Sequence, residues 1–113
     1  MVPKNPVLEA DIQADIRAWC GEHNILSIRI NVGLFKSFYG DRIVDAGPPN
    51  GWPDLQLLDT EGNIIFCETK AKYGRLREDQ KNVHKVLRER KFIVIVPKSL
   101  EEFIKEMNSY GYY

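Results

Sequence analysis

Hydrophobic and polar residues in the first part of the chain follow two different periods. Four apolar residues lie at intervals of four, four and three positions, the period of one helix face: Leu8, Ile12, Ile16 and Trp19. This pattern predicts a helix from residue 8 to about residue 22, with Gly21 as a stop signal near its end. Across residues 25–32 apolar and polar positions alternate, which predicts a strand with one solvent-exposed face.

The segment of residues 33–53 interrupts this regularity. It contains three further glycines after Gly33 and three prolines, a composition that predicts a long loop without regular secondary structure. The loop also mixes basic and aromatic residues, namely Lys36, Phe38, Tyr39 and Arg42. This mixture suits phosphate contacts or stacking on unpaired bases, with Arg42 as a candidate DNA-binding residue, and it suits a lid at a dimer interface equally well.

Strand-like runs follow at residues 55–58 and 64–70, and the turn residues Glu61-Gly62-Asn63 lie between them, which predicts a β-hairpin. Residues 75–89 return to helical spacing, with four residues on the predicted inward stripe: Leu76, Gln80, Val83 and Leu87. The amide of Gln80 needs hydrogen-bond partners if it is buried, and Lys70, a bound water or a backbone group can supply them. The alternative is an amide at the edge of the stripe that reaches solvent.

The end of the chain predicts one more strand and one more helix. Residues 92–96 form a β-branched run that ends at Pro97, which is typical of a strand buried on both faces. Ser99 and Glu102 have the spacing of a capping box that opens a final helix. The predicted order is α-β-loop-β-β-α-β-α, which favours the α/β class with a mixed central sheet flanked by helices. We expect residues 1–113 to form a single domain.

Composition and charge narrow the range of functions. Sixteen Lys and Arg residues balance 16 Asp and Glu residues, so the formal net charge is zero and contact with a polyanion requires basic residues gathered on one face. Cys20 and Cys67 lack the spacing of a zinc site or a disulfide framework, and the apolar runs are too short to cross a bilayer. We therefore expect a cytoplasmic protein without membrane contact.

The candidate catalytic residues are Asp54, Glu68 and Lys70. Glu68 and Lys70 lie two apart on one predicted strand, and strand side chains alternate, so both point to the same face. Two neighbouring carboxylates are costly to keep ionised unless a cation lies between them, which indicates Mg²⁺ on Asp54 and Glu68. The Thr69 backbone carbonyl and waters would complete the site. The alternative is an exposed Glu68/Lys70 pair, with Asp54 at the end of a turn.

These residues occur within four short strings: Gly51-Trp52-Pro53-Asp54-Leu55, Phe66-Cys67-Glu68-Thr69-Lys70, Gly74-Arg75-Leu76 and Gln80. In this order and spacing they resemble the VRR-NUC family of the PD-(D/E)xK nuclease superfamily. The likeness extends upstream to residues 8–13 and 29–33, and downstream to residues 92–96 and the helix begun at Ser99, so it covers nearly the whole chain. One departure is Lys91-Phe92, because the family often has Gly before the late strand, and this puts the shape of that turn in doubt.

The resemblance implies a restriction-endonuclease-like αβββαβ core and DNA cleavage that depends on Mg²⁺ or Mn²⁺. It implies metal ligation by Asp54 and Glu68, catalytic support by Lys70, an active-site amide role for Gln80 and a role at the metal for Glu9 on the first helix. Helical geometry by itself leaves Glu9 and Asp15 open as that acid, because they lie at similar angles on the two edges of the apolar stripe. No small-molecule cofactor is implied.

Basic residues are gathered between residues 71 and 91, where eight of them stand against three acids. Lys72 and Arg75 directly follow the string that ends at Lys70, so they are candidates for binding phosphates on either side of the scissile one. Lys81, Lys85 and Arg88 fit an ordinary solvated helix face.

Three functional hypotheses follow. The first is a DNA endonuclease. The resemblance to small free-standing viral members implies branched DNA, such as a four-way junction, as its leading candidate substrate, followed by flaps or plain duplex. Such an enzyme would act in the host cytoplasm if phage-encoded, and as a homodimer, because cutting both strands needs two active sites. The second is a DNA-binding module that retains the nuclease fold without cleavage. The third is a protein-protein adaptor that uses the Tyr110-Gly111-Tyr112-Tyr113 tail as an aromatic contact.

Overall fold

The computed structural model describes residues 8–30, 33–36 and 43–113. Its helices are α1 (Glu9–Glu22), α2 (Glu78–Glu89) and α3 (Leu100–Ser109). Its strands are β1 (Leu26–Arg29), β2 (Gly33–Lys36), β3 (Ile43–Ala46), β4 (Leu55–Leu58), β5 (Ile64–Cys67) and β6 (Ile93–Ile95). Within these ranges, every helix is too short or too polar to cross a bilayer.

The central element is a four-stranded mixed sheet with the strand order β1-β4-β5-β6. β1 pairs antiparallel with β4, and β4 pairs antiparallel with β5. β5 pairs parallel with β6, and α2 connects these two strands as the crossover helix. The order α1-β1-β4-β5-α2-β6 is the restriction-endonuclease-like αβββαβ core that was predicted, and the mixed sheet between helices is confirmed.

Helices α1 and α3 cover one face of this sheet. Ile12, Ile16 and Trp19 of α1 are buried at the predicted helical spacing, while Leu8 is 62% exposed at the N-cap and lies outside the stripe. On α3, Phe103 and Met107 are fully buried in the same apolar cluster. Each such side chain contributes about 1.5–3 kcal/mol by burial, which fixes both helices on the sheet.

Helix α2 covers the opposite face. Phe66, Leu87 and Val94 form a second buried cluster there, with Trp52 packed against it. The alternation of Ile65 and Phe66 explains the two layers, because successive strand residues point to opposite faces. As a result, the backbone that carries Glu68 and Lys70 is enclosed on both sides.

All three helices end with the same backbone geometry. In α1 the amide of Ile25 donates to the carbonyl of Cys20, and Asn24, with a φ of 57°, takes the left-handed position that was expected near Gly21. In α2 the amide of Phe92 donates to Leu87, and Lys91 adopts a φ of 71°. Lys91 therefore makes the turn that a Gly would make more easily, so the departure from the family pattern leaves the turn intact.

Two predictions of secondary structure are wrong, namely the start of α2 and the irregular loop at residues 33–53. Helix α2 begins at Glu78 instead of residue 75, because Arg77 has an extended backbone and its amide is capped by the Gln80 side chain. The segment of residues 33–53 is not an irregular loop throughout, since β2 and β3 pair antiparallel within it, with Gly33 opposite Ala46. The Gly and Pro content of this segment predicted a loop, but the short apolar runs at residues 34–35 and 43–44 suit strands.

The C-terminal tail is partly incorporated into the fold. The Tyr112 hydroxyl donates to Asp59 Oδ2 at 2.6 Å, and Tyr112 packs against the α1/α3 cluster. This hydrogen bond, followed by those from Asn63, holds the pKa of Asp59 well below its usual range, while burial and Asp59 raise the pKa of Tyr112 to about 12. Tyr113 is 82% exposed. Only part of the aromatic tail is therefore available to a partner.

Candidate active site

A cavity of about 380 Å³ opens where the hairpin strands β4 and β5 meet the first turns of α1 and α2. Asp54, Glu68 and Lys70 all line it, as the alternation of strand side chains predicted for Glu68 and Lys70. The remaining lining residues are Glu9, Gln13, Arg29, Ile30, Asn50, Gly51, Trp52, Arg77, Asp79 and Gln80. Residues from five separate parts of the chain thus share one concave site.

Asp54 is held in place by the neighbouring strand. Its Oδ2 accepts hydrogen bonds from the Thr69 amide at 3.0 Å and the Thr69 hydroxyl at 2.9 Å. Its own carbonyl accepts from the amide of Ile30 at 2.8 Å, which ties the turn to the end of β1. The Asp54 carboxylate therefore has a fixed orientation before any ligand binds.

Glu68 and Lys70 lie just beyond β5, where backbone pairing with the end of β6 continues. The amide of Glu68 donates to Ile95 at 2.9 Å, and the amide of Lys70 donates to Pro97 at 3.2 Å. Both side chains are buried, with 1% of Glu68 and 7% of Lys70 exposed. The extended backbone keeps the two groups on the cavity side, separated by Thr69.

The Glu68 carboxyl group has an unusual electrostatic environment. Burial, a hydrogen bond to Asp54 and the negative charge of Asp54 together raise its pKa to about 9, although Lys70 and Arg77 act in the opposite direction. Its Oε1 is buried and has no hydrogen-bond partner. Without a cation, Glu68 therefore holds a proton at neutral pH.

This environment is suited to a hard divalent cation. Among the described residues, no group of three His, Cys, Asp or Glu side chains converges as a metal cage. Mg²⁺ does not require one, because it commonly uses one or two carboxylates and retains several waters. Asp54 and Glu68 supply two carboxylates in one cavity, and Glu68 is 1% exposed, so a cation would offset the cost of keeping both acids ionised there. The residues present thus fit Mg²⁺ or Mn²⁺, with the Thr69 carbonyl as a candidate third ligand.

The structure distinguishes Glu9 from Asp15, the two residues of α1 that helical geometry allowed as the acid at the metal site. Glu9 lines the cavity with its side chain exposed, whereas Asp15 is exposed and does not line it. Gln13, which was not singled out from the sequence, lies between them on α1 and approaches the Thr69 hydroxyl at 3.4 Å. Glu9 is therefore the acid of α1 that lies at the cavity, and its role at a metal stays a prediction.

Gln80 is 5% exposed, and its Oε1 accepts a hydrogen bond from the amide of Arg77 at 2.9 Å. Of the partners considered from the sequence, the structure shows a backbone group. The side chain still contributes to the cavity wall. Gln80 thus caps α2 and places the start of this helix beside Glu68 and Lys70.

The basic residues at the cavity differ from those expected. Lys72 and Arg75 are exposed and do not line it, and Lys72 lies over the ring of Tyr73 at 5.4 Å. Arg42 lies outside the described residues. Arg29 and Arg77 provide the guanidinium groups instead. Sequence reasoning missed both, although Arg29 lies within an upstream part of the VRR-NUC-like pattern.

Gly51 brings the Asp54 turn against α2. It has a φ of +91°, and a Cβ there would overlap the backbone carbonyl of Asp79 and lie 2.8 Å from the Gln80 nitrogen. We expect Gly51→Ala to lower the free energy of unfolding by about 2 kcal/mol or more, because strain and overpacking add. Urea unfolding measures this.

Gly62→Ala is the matched control for that prediction. Gly62 has a φ of +86°, and a Cβ added there would meet no atom within 4 Å, so its substitution carries only the conformational strain. An equal loss of stability in the two variants would mean that the close approach of Gly51 to α2 does not contribute to the effect of Gly51→Ala on the free energy of unfolding.

The chain folds as an α/β domain with a mixed sheet between helices and a cavity lined mostly by polar side chains. A structure search finds a solved structure described as a VRR_NUC domain, with a TM-score of 0.66 and 19% sequence identity. The match covers 92% of this chain and 97% of the other. The resemblance to VRR-NUC domains is therefore confirmed at the level of the fold. No protein-family model matches the chain, and no curated protein matches it.

Proposed function

We propose that this protein is a Mg²⁺- or Mn²⁺-dependent DNA endonuclease. The observation that carries the proposal is the gathering of Asp54, Glu68 and Lys70 in one cavity, with both Glu68 and Lys70 buried. Two acids and a lysine in a water-accessible cleft suit phosphodiester hydrolysis, because one side of the site binds a cation and the other stabilises negative charge. The VRR_NUC-like fold supports the same class of reaction.

Each residue has a distinct part in this reaction. Asp54 and Glu68 would hold the divalent ion, with Glu9 beside them; when bound, the ion activates a water and polarises the phosphoryl oxygen. Thr69 keeps the Asp54 carboxylate oriented through two hydrogen bonds. Lys70 places an ammonium group at the cavity wall, where it stabilises charge on the phosphate or orients the attacking water.

Arg29 and Arg77 are the DNA-binding residues that the cavity favours. Arg77 Nε contacts Asp79 Oδ1 at 3.2 Å, which orients the guanidinium group, and its side chain is 65% exposed. A guanidinium group forms paired hydrogen bonds with phosphate oxygens, so both arginines suit the phosphates next to the scissile one.

We expect Arg77→Ala to weaken DNA binding and to reduce the slope of log K against log salt by about 0.9 on duplex DNA, because one phosphate contact is lost. Fluorescence anisotropy in EDTA measures this without cleavage. Arg90→Ala is the matched control, because Arg90 is exposed at the opposite end of α2. An unchanged salt slope in Arg77→Ala would remove Arg77 from the DNA interface.

The function is tested by incubating the purified protein with four-way junction, flap, single-stranded and duplex DNA, each with Mg²⁺, Mn²⁺ or EDTA. We expect cleavage with either ion and none with EDTA. Binding without cleavage under every condition would favour the DNA-binding module instead. Failure to bind any of the four substrates would overturn the proposal.

We further propose that branched DNA, such as a four-way junction, is the preferred substrate and that the protein acts as a homodimer. A symmetric substrate cut in both strands requires two active sites, which a two-fold dimer supplies. Size-exclusion chromatography with light scattering, alone and with junction DNA, measures the assembly. A monomer that nicks duplex as fast as it cuts junctions would contradict both points.

A further inference from the structure

His84 is a buried titratable residue to which the proposed reaction gives no role. It lies on α2 one turn after Gln80, is 1% exposed and does not line the cavity. Both of its ring nitrogens are buried without a hydrogen-bond partner. A buried imidazole without partners costs free energy, so its position on this otherwise apolar face of α2 requires an explanation.

A carboxyl oxygen of Glu68 is the candidate partner of His84. His84 Nε2 lies 3.4 Å from Glu68 Oε1, which is the carboxyl oxygen that also lacks a hydrogen bond. The two unpartnered atoms thus face each other behind the cavity wall. A slight approach of the two side chains would satisfy both at once.

This contact is not an ion pair. Both side chains are 1% exposed, and burial disfavours the charged form of each. A neutral imidazole carries one N–H, and the tautomer with hydrogen on Nε2 places that donor toward Glu68.

His84 is also not a ligand in this arrangement. It does not line the cavity, and no three-residue metal cluster that includes it exists among the described residues. Its contact with the site is through Glu68, which does line the cavity. This placement corresponds to a second layer that orients a metal-binding group.

We propose that His84 is a positioning residue, which donates a hydrogen bond from Nε2–H to Glu68 Oε1 and thereby holds this carboxylate in its cation-binding orientation. The inference rests on the proposed function, because it assigns Glu68 to the metal site. A hydrogen bond to an ionised carboxylate is stronger than one to a neutral group, so this contact favours the form of Glu68 that would bind a cation. His84 thus raises metal affinity without touching metal or DNA.

The first test measures Mn²⁺ affinity by isothermal titration calorimetry, without DNA. We expect His84→Leu to bind Mn²⁺ about tenfold more weakly or worse, and His84→Gln, whose amide nitrogen can replace Nε2, to recover most of the loss. His23→Leu is the matched control, because His23 lies at the end of α1 and does not line the cavity.

The second test uses the unmodified protein and does not depend on how the variants fold. Two-dimensional ¹⁵N NMR of the two histidines reports the tautomer of each ring. We expect His84 in the Nε2–H form, with a downfield shift of that proton on addition of Mg²⁺. His23 is the internal reference, because its Nδ1 lies 2.7 Å from the Trp19 carbonyl and should carry the hydrogen.

The outcomes distinguish an error in the metal site from an error in the role of His84. If the unmodified protein does not bind Mn²⁺, the metal site itself is wrong, and the inference falls with it. If it binds Mn²⁺ but His84→Leu binds equally well, or if His84 carries its hydrogen on Nδ1, the positioning role is overturned and the nuclease proposal stands. A loss in His84→Leu that His84→Gln restores supports the role, because a packing defect would not be rescued by an amide.

Discussion

Lys70→Ala is expected to reduce Mg²⁺-dependent DNA cleavage by about 10²–10³-fold while leaving the fold intact. The reason is that Lys70 contributes a positive charge in a partly desolvated cavity, and a preorganised group of this kind typically accounts for a rate factor of that size. The measurement is single-turnover cleavage of whichever DNA the unmodified protein cuts, with circular dichroism to confirm the secondary structure.

Lys105→Ala provides the control for the loss of a lysine. Lys105 is exposed on α3 and does not line the cavity, so its removal should leave the rate unchanged. Binding of Mn²⁺ should survive in Lys70→Ala, because the carboxylates remain. Full cleavage activity in a folded Lys70→Ala variant would refute the assignment of this lysine.

The second large effect is the pH dependence of cation binding. The pKa of Glu68 is raised to about 9, so at lower pH a cation must displace a proton before it can use this carboxylate. We expect the apparent affinity for Mn²⁺ to rise about tenfold per pH unit, and thus about 100-fold between pH 6 and pH 8. Calorimetric titrations at fixed ionic strength measure it, and the number of protons released should approach one at the lower pH.

The same group makes a prediction for the protein in EDTA. Because the pKa of Glu68 is higher in the folded state than in the unfolded chain, its contribution to stability is fully present below the ordinary value of 4.5. That contribution declines as the pH rises toward 9, by at most about 1.4 kcal/mol per unit. Thermal unfolding from pH 5 to 9 should therefore show a falling melting temperature, which added Mn²⁺ restores.

Glu68→Gln distinguishes this group from every other titrating residue. The variant should bind Mn²⁺ weakly at all pH values, and its melting temperature in EDTA should decline less steeply with pH than that of the unmodified protein. Parallel pH profiles of the two proteins, or an affinity for Mn²⁺ independent of pH, would show that Glu68 is already ionised in the folded state.

Local sequence was sufficient for much of the architecture, because most elements have one strongly apolar face. Ile12, Ile16 and Trp19 identified the buried side of α1, and the turn residues at 61–63 marked the β4–β5 hairpin. Strand alternation placed Glu68 and Lys70 on one face, whereas the resemblance to the VRR-NUC family grouped them with Asp54 as a site. A turn and an alternating strand fix which way these side chains point over a few residues.

Where local sequence patterns were weaker, the sequence was insufficient to predict the secondary structure. Residues 33–53 were predicted as irregular because glycine and proline dominated the composition, yet β2 and β3 pair there. The start of α2 was placed three residues early, because helical spacing continues through Leu76 while the Gln80 side chain caps the backbone of Arg77. Capping depends on where one side chain turns, which periodicity does not report.

By itself, then, the sequence determined the order of the core elements α1-β1-β4-β5-α2-β6, the class of the sheet and the shared face of Glu68 and Lys70, because local periodicity and turn residues specify them. The tertiary structure decided which distant residues complete the cavity. It brought Arg29 and Arg77 to the wall, left Lys72 and Arg75 outside it, and turned His84 toward Glu68. Periodicity predicts which face of a helix is buried. Which side chains that face contacts depends on how α2 packs on the sheet.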